Sequence, residues 1–332
     1  MLEKKNRIII TGGCGFIGSN FIQFIMKKYP HIKIINIDKL TYSGNLNNLK
    51  DITNNPNYTF IQEDICNHNS MLEIIKEGDV IVNFAAESHV DNSILDPQVF
   101  IKTNILGAHS ILEAARKKNA ELFMQISTDE VYGSLNFDQN SSKEIDSLSP
   151  SSPYSASKAA AEMICIGNMK TFKQPIIITR SSNNFGPYQF PEKVIPLFVT
   201  NLLEGKKVPV YGTGKNIRDW IYVLDNCEAI EFIINNGKAG EIYNIGGGNE
   251  IQNIDLTRKI LKYMGLGDSY MDFVIDRKGH DLRYSLNSSK IKNLGWNPKF
   301  TFEEAFHLTI NWYKQNKWWW EPLKNIAGKR VS

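Results

Sequence analysis

Cysteine and histidine are scarce in this chain. Among 332 residues there are four cysteines and six histidines, all widely separated, and no two cysteines form a CxxC motif. This spacing argues against a disulfide framework, a zinc centre or another metal site, and it is compatible with a reducing cytoplasm. The cysteines are Cys14, Cys66, Cys165 and Cys227.

Long hydrophobic runs and an excess of one charge are also missing. The apolar residues Ile8 to Ile10 are too few for the core of a signal peptide, and no run is long enough to span a membrane. The net charge of +3, with both signs mixed, gives no electrostatic reason to expect nucleic-acid binding. We therefore expect a cytoplasmic protein that engages neither a membrane nor a nucleic acid.

Apolar residues, by contrast, make up 42% of the chain, which is enough for a large core and two lobes. Short apolar segments alternate with helical patterns, which predicts an α/β fold with a doubly wound, mainly parallel sheet. Helical patterns cover residues 97–117 and, near the C-terminus, residues 302–313, followed by a packed tryptophan run at 318–320. The predicted strands are residues 7–11, 33–37, 58–62, 80–84, 122–126, 176–179 and 241–245.

The first predicted strand leads into a glycine-rich turn. Gly12, Gly15 and Gly18 have the spacing GxxGxxG, with a strand before them and a helix after them. Such glycines allow a tight turn and close approach to a pyrophosphate, which the helix N-terminus then faces. Asp38 ends the second strand, where an acid would bind the ribose diol of NAD. Because Lys39 lies beside it, NADP remains an alternative cofactor. Asp38 could also be an ordinary turn residue at the end of a strand.

These features predict a Rossmann domain and a smaller lobe. From Pro187 onward, segments rich in proline and glycine break the alternation of strands and helices. We assign residues 1–186 and about 222–250 to an NAD-binding domain, and about 187–221 and 251–332 to a smaller α/β lobe that closes over a substrate. Four cations have the spacing to bind a diphosphate, although each alone also fits a solvated surface: Lys193, Arg218, Arg277 and Arg283.

A pair of adjacent carboxylic acids follows the fifth predicted strand, in the run Ser127-Thr128-Asp129-Glu130. A solvated loop is the plain interpretation of such a pair. The alternative is a general acid beside a general base, at the sheet edge where open α/β folds bind ligands.

Tyr154 and Lys158 stand four residues apart on one face of a predicted helix. The pattern alone also fits a surface helix turn. Next to a dinucleotide, however, a nearby ammonium and a positive nicotinamide would favour the phenolate and make Tyr154 a base at neutral pH. The fourth strand leads into a loop with His89, which fits a substrate contact and a structural histidine equally.

Together these motifs resemble the extended short-chain dehydrogenase/reductases and, within them, the dTDP-glucose 4,6-dehydratases. The Thr128-Asp129-Glu130 triplet is the most specific, because related epimerases and decarboxylases do not place this acid pair there. Two positions depart from the family pattern, with Asn92 in place of arginine and Lys278 in place of proline. The matching segments are residues 38–45, 85–91, 127–133, 182–193, 218–220, 243–247 and 279–281.

The resemblance implies two sets of binding residues and a homodimer built through a four-helix bundle. Beyond the three glycines, the NAD contacts would be Phe16, Ile17, Asp38, Lys39, Leu40, Thr41, Asp64, Ile65, Ala85, Ala86, Thr103, Tyr154, Lys158 and Asn184. The nucleotide-sugar contacts would be Ser88, Thr128, Asn183, Lys193, Val194, Tyr211, Arg218, Asn253, Arg277 and His280.

The implied reaction is the NAD-dependent dehydration of dTDP-glucose to dTDP-4-keto-6-deoxyglucose. Tyr154, assisted by Thr128 and Lys158, takes the C4 hydroxyl proton while C4 is oxidised. Glu130 then removes the acidified C5 proton and Asp129 protonates the departing C6 hydroxyl, after which hydride returns to C6 and a proton returns to C5. The two acids need opposite protonation states, and adjacent carboxyls push their titrations apart.

Three alternatives remain open at this point. A UDP-sugar could be the substrate of the same 4,6-dehydration. A 4-epimerase or decarboxylase of the superfamily would use Tyr154 and Lys158 but has no task for the acid pair. A dinucleotide-sensing or scaffold protein would need the glycine loop alone.

Overall fold

The computed structural model describes residues 1–276 and 279–328 and is built around a seven-stranded parallel sheet. The strand order is β10-β6-β5-β4-β1-β2-β3. All seven predicted strands are present in this sheet, and β5 and β6 run two residues farther than predicted. The strands are β1 Arg7–Thr11, β2 Lys33–Asp38, β3 Tyr58–Gln62, β4 Val80–Asn83, β5 Leu122–Thr128, β6 Ile176–Ser181 and β10 Ile242–Ile245.

Helices connect the strands and cover the sheet. The central strands are rich in apolar residues because both faces are covered: Ile8 and Ile10 pack into one buried cluster, and Ile9 and Ile81 into another. The helices are α1 Phe16–Lys28, α2 His68–Ile74, α3 Val90–Leu95, α4 Pro97–Phe100, α5 Ala108–Lys117, α6 Pro153–Phe172, α7 Val194–Leu203, α8 Val223–Asn236, α9 Asn253–Tyr263, α10 Ser289–Asn293, α11 Phe302–Gln315 and α12 Lys317–Gly328. Short 3-10 helices cover Leu2–Lys4, Leu46–Ile52, Asp129–Tyr132 and Asp268–Tyr270.

The helix predicted over residues 97–117 differs from a regular α-helix at its centre. Ile101–Gly107 forms a π-helix between α4 and α5. Such wide turns occur mostly at functional sites, where they move a side chain out of the regular register. Asn104, inside this turn, is buried and reaches the loop after β4 and helix α6.

The sheet order reverses between β1 and β4, which pair with each other while β2 lies on the far side of β1. Open parallel sheets bind ligands at the carboxyl ends of the strands beside such a reversal. The glycine turn after β1 and the loop after β4 meet there, since the Phe84 N–H donates to Thr11 O at 3.1 Å. The fold therefore places the predicted motifs at one sheet edge.

Two smaller sheets lie outside the central one. One has the order β11-β9-β7, with strands Glu250–Gln252, Ile217–Tyr222 and Asn183–Phe185. The other pairs β12, Met271–Val274, with β8, Val208–Tyr211. Strand β7 falls within the predicted NAD-binding domain but pairs with β9, which comes mainly from the predicted second lobe. The division into two domains stays a prediction.

The predicted C-terminal helix is confirmed, and the tryptophans after it pack under the glycine turn. The Trp319 indole N–H donates to Asn48 Oδ1 at 2.7 Å, and the Asn48 amide donates to the Cys14 carbonyl at 2.9 Å. The end of the chain thus supports the loop after β1. Across the described ranges, no helix combines the length and apolar character that crossing a membrane requires.

Candidate active site

The glycine turn forms a cradle at the N-terminus of α1. Gly12 has φ +68, and a Cβ on it would lie 2.6 Å from the Ala85 nitrogen, so only glycine fits this close contact. A Cβ on Gly18 would lie 2.4 Å from the Gly12 carbonyl oxygen. Gly15 caps the helix without a side chain, which leaves the backbone N–H groups of the first turn available to an anion.

Asp38 lies at the end of β2, beside this cradle. Its two carboxylate oxygens accept hydrogen bonds from the backbone N–H groups of Cys14, at 2.9 Å, and Leu40, at 2.8 Å. Burial raises the pKa of Asp38, and the two backbone donors oppose that shift. The Lys39 ammonium pairs with Asp64 at 2.7 Å, so the one cation that left NADP open has a carboxylate partner.

A cavity of about 220 Å³ runs from the glycine cradle to α6. Most predicted NAD contacts line it, and Leu40 and Asn184 are the exceptions. Leu40 contributes its N–H to Asp38, and the Asn184 amide donates to Ser182 O at 3.0 Å. The predicted residues that line the cavity are Gly12, Gly15, Phe16, Ile17, Gly18, Asp38, Lys39, Thr41, Asp64, Ile65, Ala85, Ala86, Ser88, Thr103, Tyr154, Lys158 and Lys193.

The residues present fit a dinucleotide. The glycines let the turn pack closely on itself and on Ala85, and the helix N-terminus without a side-chain cap lies at the cavity that Gly15, Phe16 and Ile17 line. The fixed Asp38 carboxylate suits a ribose diol and repels a 2′-phosphate. Within the described chain, the buried Ser127 hydroxyl at the other end of the cavity has no hydrogen-bond partner, which leaves it available to a ligand.

Helix α6 brings Tyr154 and Lys158 into the cavity, as the sequence predicts. A capping box between Ser152 and Ser155, with Pro153 in the first turn, fixes where the helix begins. Both side chains are buried, and the Lys158 ammonium donates to the Ile126 carbonyl at 2.6 Å. Burial lowers the pKa of Lys158 to about 8, while Glu162 one turn later raises it.

The protein groups alone shift the pKa of Tyr154 upward, and the expectation that an ammonium and a bound nicotinamide together favour the phenolate stays a prediction. Burial raises the pKa of Tyr154 well above that of free tyrosine, and the charge of Glu130 raises it further. A hydrogen bond with Thr128 acts in the opposite direction without outweighing them. The Lys158 ammonium is itself desolvated and donates to a backbone carbonyl.

The acid pair lies at the carboxyl end of β5, in the short 3-10 helix Asp129–Tyr132, and the solvated-loop interpretation of Asp129 does not hold. Asp129 is buried and Glu130 is partly buried. The Thr128 hydroxyl donates to Asp129 Oδ1 at 3.1 Å and accepts from the Glu130 N–H at 3.3 Å. One threonine therefore holds both acids and also bonds to Tyr154.

The environment separates the two acids in the way that acid-base catalysis needs. Burial raises the pKa of Asp129 well above its usual range, and Glu130 and then Asp219 raise it further. Its Oδ2 atom is buried without a hydrogen-bond partner among residues 1–276 and 279–328. This environment favours the protonated form of Asp129, which is the state that a general acid needs.

The loop after β4 is fixed to the catalytic helix. Asn104, from the π-helix, accepts from the Glu87 N–H at 2.8 Å and donates to Glu87 O at 3.0 Å and to the Ser157 hydroxyl at 2.8 Å. The Lys193 ammonium donates to the Ser88 carbonyl at 3.0 Å. Two predicted substrate contacts, Ser88 and Lys193, thus meet at the wall of the cavity.

The other predicted substrate contacts lie on several different elements. Tyr211 and His280 lie together, with ring centroids 6.3 Å apart, and His280 Nδ1 is 2.6 Å from Asp276. The Arg218 guanidinium lies over the Tyr284 ring, 4.3 Å from its centroid. Val194 and Asn253 begin helices α7 and α9, and Asn183 begins β7. Arg277 and the departure at Lys278 lie outside the described residues.

Arg283 does not serve as a free cation for a diphosphate. It forms a bidentate pair with Glu250, at 2.5 and 2.9 Å, and donates to the Gln139 carbonyl at 2.7 Å. His89 caps α3 by accepting from the Asn92 N–H at 3.4 Å and lies 4.0 Å from Glu192. His89 therefore has a structural role as a helix cap, and it lies next to Glu192, which lines the cavity.

Four further residues belong to the site and escaped the sequence analysis: Glu192, Asp219, Tyr284 and Asn104. Glu192 lines the cavity and accepts from the Tyr42 hydroxyl at 2.9 Å. Asp219 raises the pKa of Asp129, and Glu130 raises that of Tyr284. Glu192 and Asp219 are neighbours of residues that were singled out, Lys193 and Arg218, which is the one available signal. Asn104 and Tyr284 likewise follow residues that were singled out, Thr103 and Arg283, but only long-range packing shows that they reach the site.

Comparison with known proteins gives one consistent family. The profile of the GDP-mannose 4,6 dehydratase family matches residues 9–309. A protein of Streptomyces niveus named dTDP-glucose 4,6-dehydratase is 44% identical over 324 residues, which cover 96% of this chain and 96% of that protein. This agreement confirms the resemblance drawn from the motifs.

Solved structures agree with the fold and the family. DesIV, a dTDP-glucose 4,6-dehydratase from Streptomyces venezuelae crystallised with NAD and dTDP bound, has a TM-score of 0.93 and 44% identity, covering 96% of this chain and 99% of its own. A UDP-glucose 4-epimerase from Thermotoga maritima with UDP-glucose has a TM-score of 0.85 and 29% identity, covering 93% and 99%. The fold alone is thus shared by dehydratases and epimerases.

Proposed function

This chain belongs to the GDP-mannose 4,6 dehydratase family, and we propose that it dehydrates dTDP-glucose to dTDP-4-keto-6-deoxyglucose with NAD. The observation that carries the proposal is the buried Asp129 with a raised pKa beside Glu130, both attached to the Thr128 that also bonds to Tyr154. An epimerase has no elimination step that would need such an acid and base.

NAD would be held by the glycine cradle, the N-terminus of α1 and the Asp38 carboxylate. When bound, it supplies the hydride acceptor, a positive ring and later the hydride donor. The protein fixes the ends of this site with hydrogen bonds to backbone and to Asn48, so little reordering is needed on binding. The relatives crystallised with NAD support this assignment.

Tyr154 would take the C4 hydroxyl proton at its phenolic oxygen. Because burial and Glu130 raise its pKa, the protein alone keeps Tyr154 protonated, and the positive charge of the oxidised cofactor favours the phenolate. Thr128, through its hydrogen bond to Tyr154, orients the phenol. Lys158, fixed to the Ile126 carbonyl, places an ammonium one helix turn away.

Water elimination would then use the acid pair. Glu130 accepts the C5 proton, and the proton on Asp129 goes to the departing C6 hydroxyl, so one proton is taken and one is given as water forms. Its burial, and the nearby carboxylates Glu130 and Asp219, favour the protonated form of Asp129 that this step uses. Buried placement also keeps bulk water from the reacting carbons.

The direct test is product mass with three substrates. We expect the purified protein to convert dTDP-glucose with loss of one water, and UDP-glucose and UDP-N-acetylglucosamine at least about 10-fold more slowly. A product of unchanged mass would indicate a 4-epimerase, and loss of carbon dioxide from a uronic acid would indicate a decarboxylase. Preferred dehydration of a UDP-sugar would overturn the choice of dTDP-glucose.

We further propose that the protein is a homodimer joined by a four-helix bundle and that it works in the cytoplasm. Apolar side chains on the helices from α3 to α6 are exposed, including Leu95, Leu106 and Met163. These helices contact each other, since α3 and α4 both pack on α6, so their exposed residues can form one face. A self-complementary apolar face is what a two-fold dimer uses. The four cysteines are free thiols, which suits a reducing compartment.

The proposed four-helix bundle predicts that glutamate substitutions at two exposed leucines have different effects on dimer formation. Leu106→Glu, at a side chain that is 57% exposed, is expected to convert the dimer to a monomer because it brings charge into the interface. Leu308→Glu, at 49% exposure on α11, is the matched control and should leave the dimer intact. Sedimentation velocity measures both. A wild-type monomer, or a Leu106→Glu protein that stays dimeric, contradicts the bundle.

A further inference from the structure

Arg180 is a buried cation that none of the catalytic steps above employs. It lies on β6, where it is the register partner of Ser127 at the end of β5, and its side chain is only 2% exposed. A buried guanidinium is costly unless its donors are paired, and its placement directly beneath the catalytic residues calls for a reason.

Three elements of the site meet on this one side chain. On one side, Arg180 makes a bidentate pair with Glu162, with Nη2 2.6 Å from Oε2 and Nε 3.1 Å from Oε1. Glu162 is fully buried on α6, one turn after Lys158. On the other side, Nη1 donates to the Tyr132 hydroxyl at 2.6 Å, and the guanidinium lies over the Tyr132 ring at 4.6 Å.

Tyr132 is the last residue of the 3-10 helix that begins at Asp129, so Arg180 contacts the element that carries the acid pair. The Tyr132 hydroxyl donates a hydrogen bond to Asn244 Oδ1 at 2.8 Å. The Asn244 amide in turn donates to the Ser142 carbonyl at 2.9 Å. Burial raises the pKa of Tyr132 to about 12, so the phenol stays a neutral donor at working pH. The Arg180 Nη1 group also reaches the Glu144 carbonyl at 3.3 Å.

We propose that Arg180 is a positioning residue that sets the distance between the catalytic helix and the acid pair. Its planar fork holds Glu162 on α6 and Tyr132 after the acids in one fixed geometry. Tyr154 and Lys158 act in C4 oxidation, whereas Asp129 and Glu130 act in elimination. A clamp between the two groups therefore controls the second step relative to the first.

This inference rests on the proposed dehydration, and it predicts a separation of the two steps. Tyr132→Phe removes the hydroxyl that Arg180 contacts but keeps the ring and the Arg180–Glu162 pair. We expect water loss to slow about 10-fold, less than the roughly 100-fold that a misplacement of about 1 Å can cost. C4 oxidation and the KM for dTDP-glucose should stay near wild-type values, so reduced cofactor accumulates during turnover.

The measurement is a single-turnover experiment on the NAD-loaded protein. The near-ultraviolet absorbance of the reduced nicotinamide follows C4 oxidation, and product mass follows water loss. Tyr243→Phe is the matched control, because it removes one buried hydroxyl, which accepts from the Lys238 N–H at 2.9 Å, far from the acids on the same sheet. It should show wild-type partitioning between the two steps.

A second variant keeps the test decisive if Tyr132→Phe folds poorly. Arg180→Lys retains the charge opposite Glu162 but loses the fork that also reaches Tyr132, and it should show the same accumulation of reduced cofactor. If both variants lose oxidation and elimination equally, or neither changes the partition, Arg180 is structural only and the inference is wrong. If the wild-type protein loses no water from dTDP-glucose, the proposed function fails instead, which is a separate result.

Discussion

Glu130→Gln is expected to slow water loss by about 1,000-fold while C4 oxidation continues. Glutamine keeps the shape of the side chain and leaves the backbone bond from residue 130 to the Thr128 hydroxyl in place, but it cannot accept the C5 proton. Bound cofactor should then be reduced by substrate and stay reduced, because the sugar cannot proceed to the step that takes the hydride back. The absorbance of the reduced nicotinamide measures C4 oxidation, and the product mass measures water loss.

The same substitution has a second effect with a defined sign. The charge of Glu130 raises the pKa of Tyr154, so removing that charge lowers the pKa of the phenol. Cofactor reduction in Glu130→Gln should therefore reach half of its maximum at a lower pH than in the wild type. Glu241→Gln, at a surface glutamate paired with Lys290, is the control and should change neither rate nor pH profile. Wild-type water loss in Glu130→Gln would remove Glu130 as the base.

Asp129→Asn is expected to slow elimination by about 100-fold, since an amide cannot give a proton to the departing C6 hydroxyl. The loss is smaller than for Glu130 if the hydroxyl takes its proton from water. In the wild type, elimination should weaken as pH rises through the raised pKa of Asp129, because the acid then loses its proton. In the variant this alkaline loss should disappear. A persistent alkaline loss of the same shape would assign it to another group.

Asp129→Asn should slow elimination but raise the free energy of unfolding of the protein. The pKa of Asp129 is higher in the folded protein than in the unfolded chain, so its contribution is present below about pH 4 and is lost as pH rises through the folded pKa. Asparagine does not titrate, so Asp129→Asn should be more stable than the wild type, by a margin that grows with pH. Urea unfolding at acidic and alkaline pH measures this margin. The exposed Asp138→Asn should show none, and a pH-independent margin contradicts the assignment.

The local pattern of apolar and polar residues was sufficient to predict the architecture of the central sheet. The apolar runs of the seven strands are short, separated by helical periods, and bounded by glycine or polar residues, which is information carried within a few positions. For the same reason the spacing of Gly12, Gly15 and Gly18 and of Tyr154 and Lys158 identified the dinucleotide turn and the catalytic helix face. The π-helix at Ile101–Gly107 was not predicted, since its register depends on the contacts of Asn104 rather than on periodicity.

Protonation states could not be read from residue types. The family resemblance implied Asp129 as the acid and Glu130 as the base, but the causes that favour a proton on Asp129, its burial and the charges of Glu130 and Asp219, appear only in the structure. In the protein alone, burial and then the charge of Glu130 raise the pKa of Tyr154. Both outcomes are set by the local dielectric, which exists only once the chain has packed.

The sequence by itself determined the fold class, the family and the five candidate catalytic residues, because each is encoded by short-range spacing on a strand end or a helix face. Only the tertiary structure decided how those residues act together. It placed Thr128 between the acids and Tyr154, paired Arg283 with Glu250 instead of leaving it for a diphosphate, and joined α6 to the acid pair through Arg180. These are contacts between residues far apart in the chain, and their strength comes from burial.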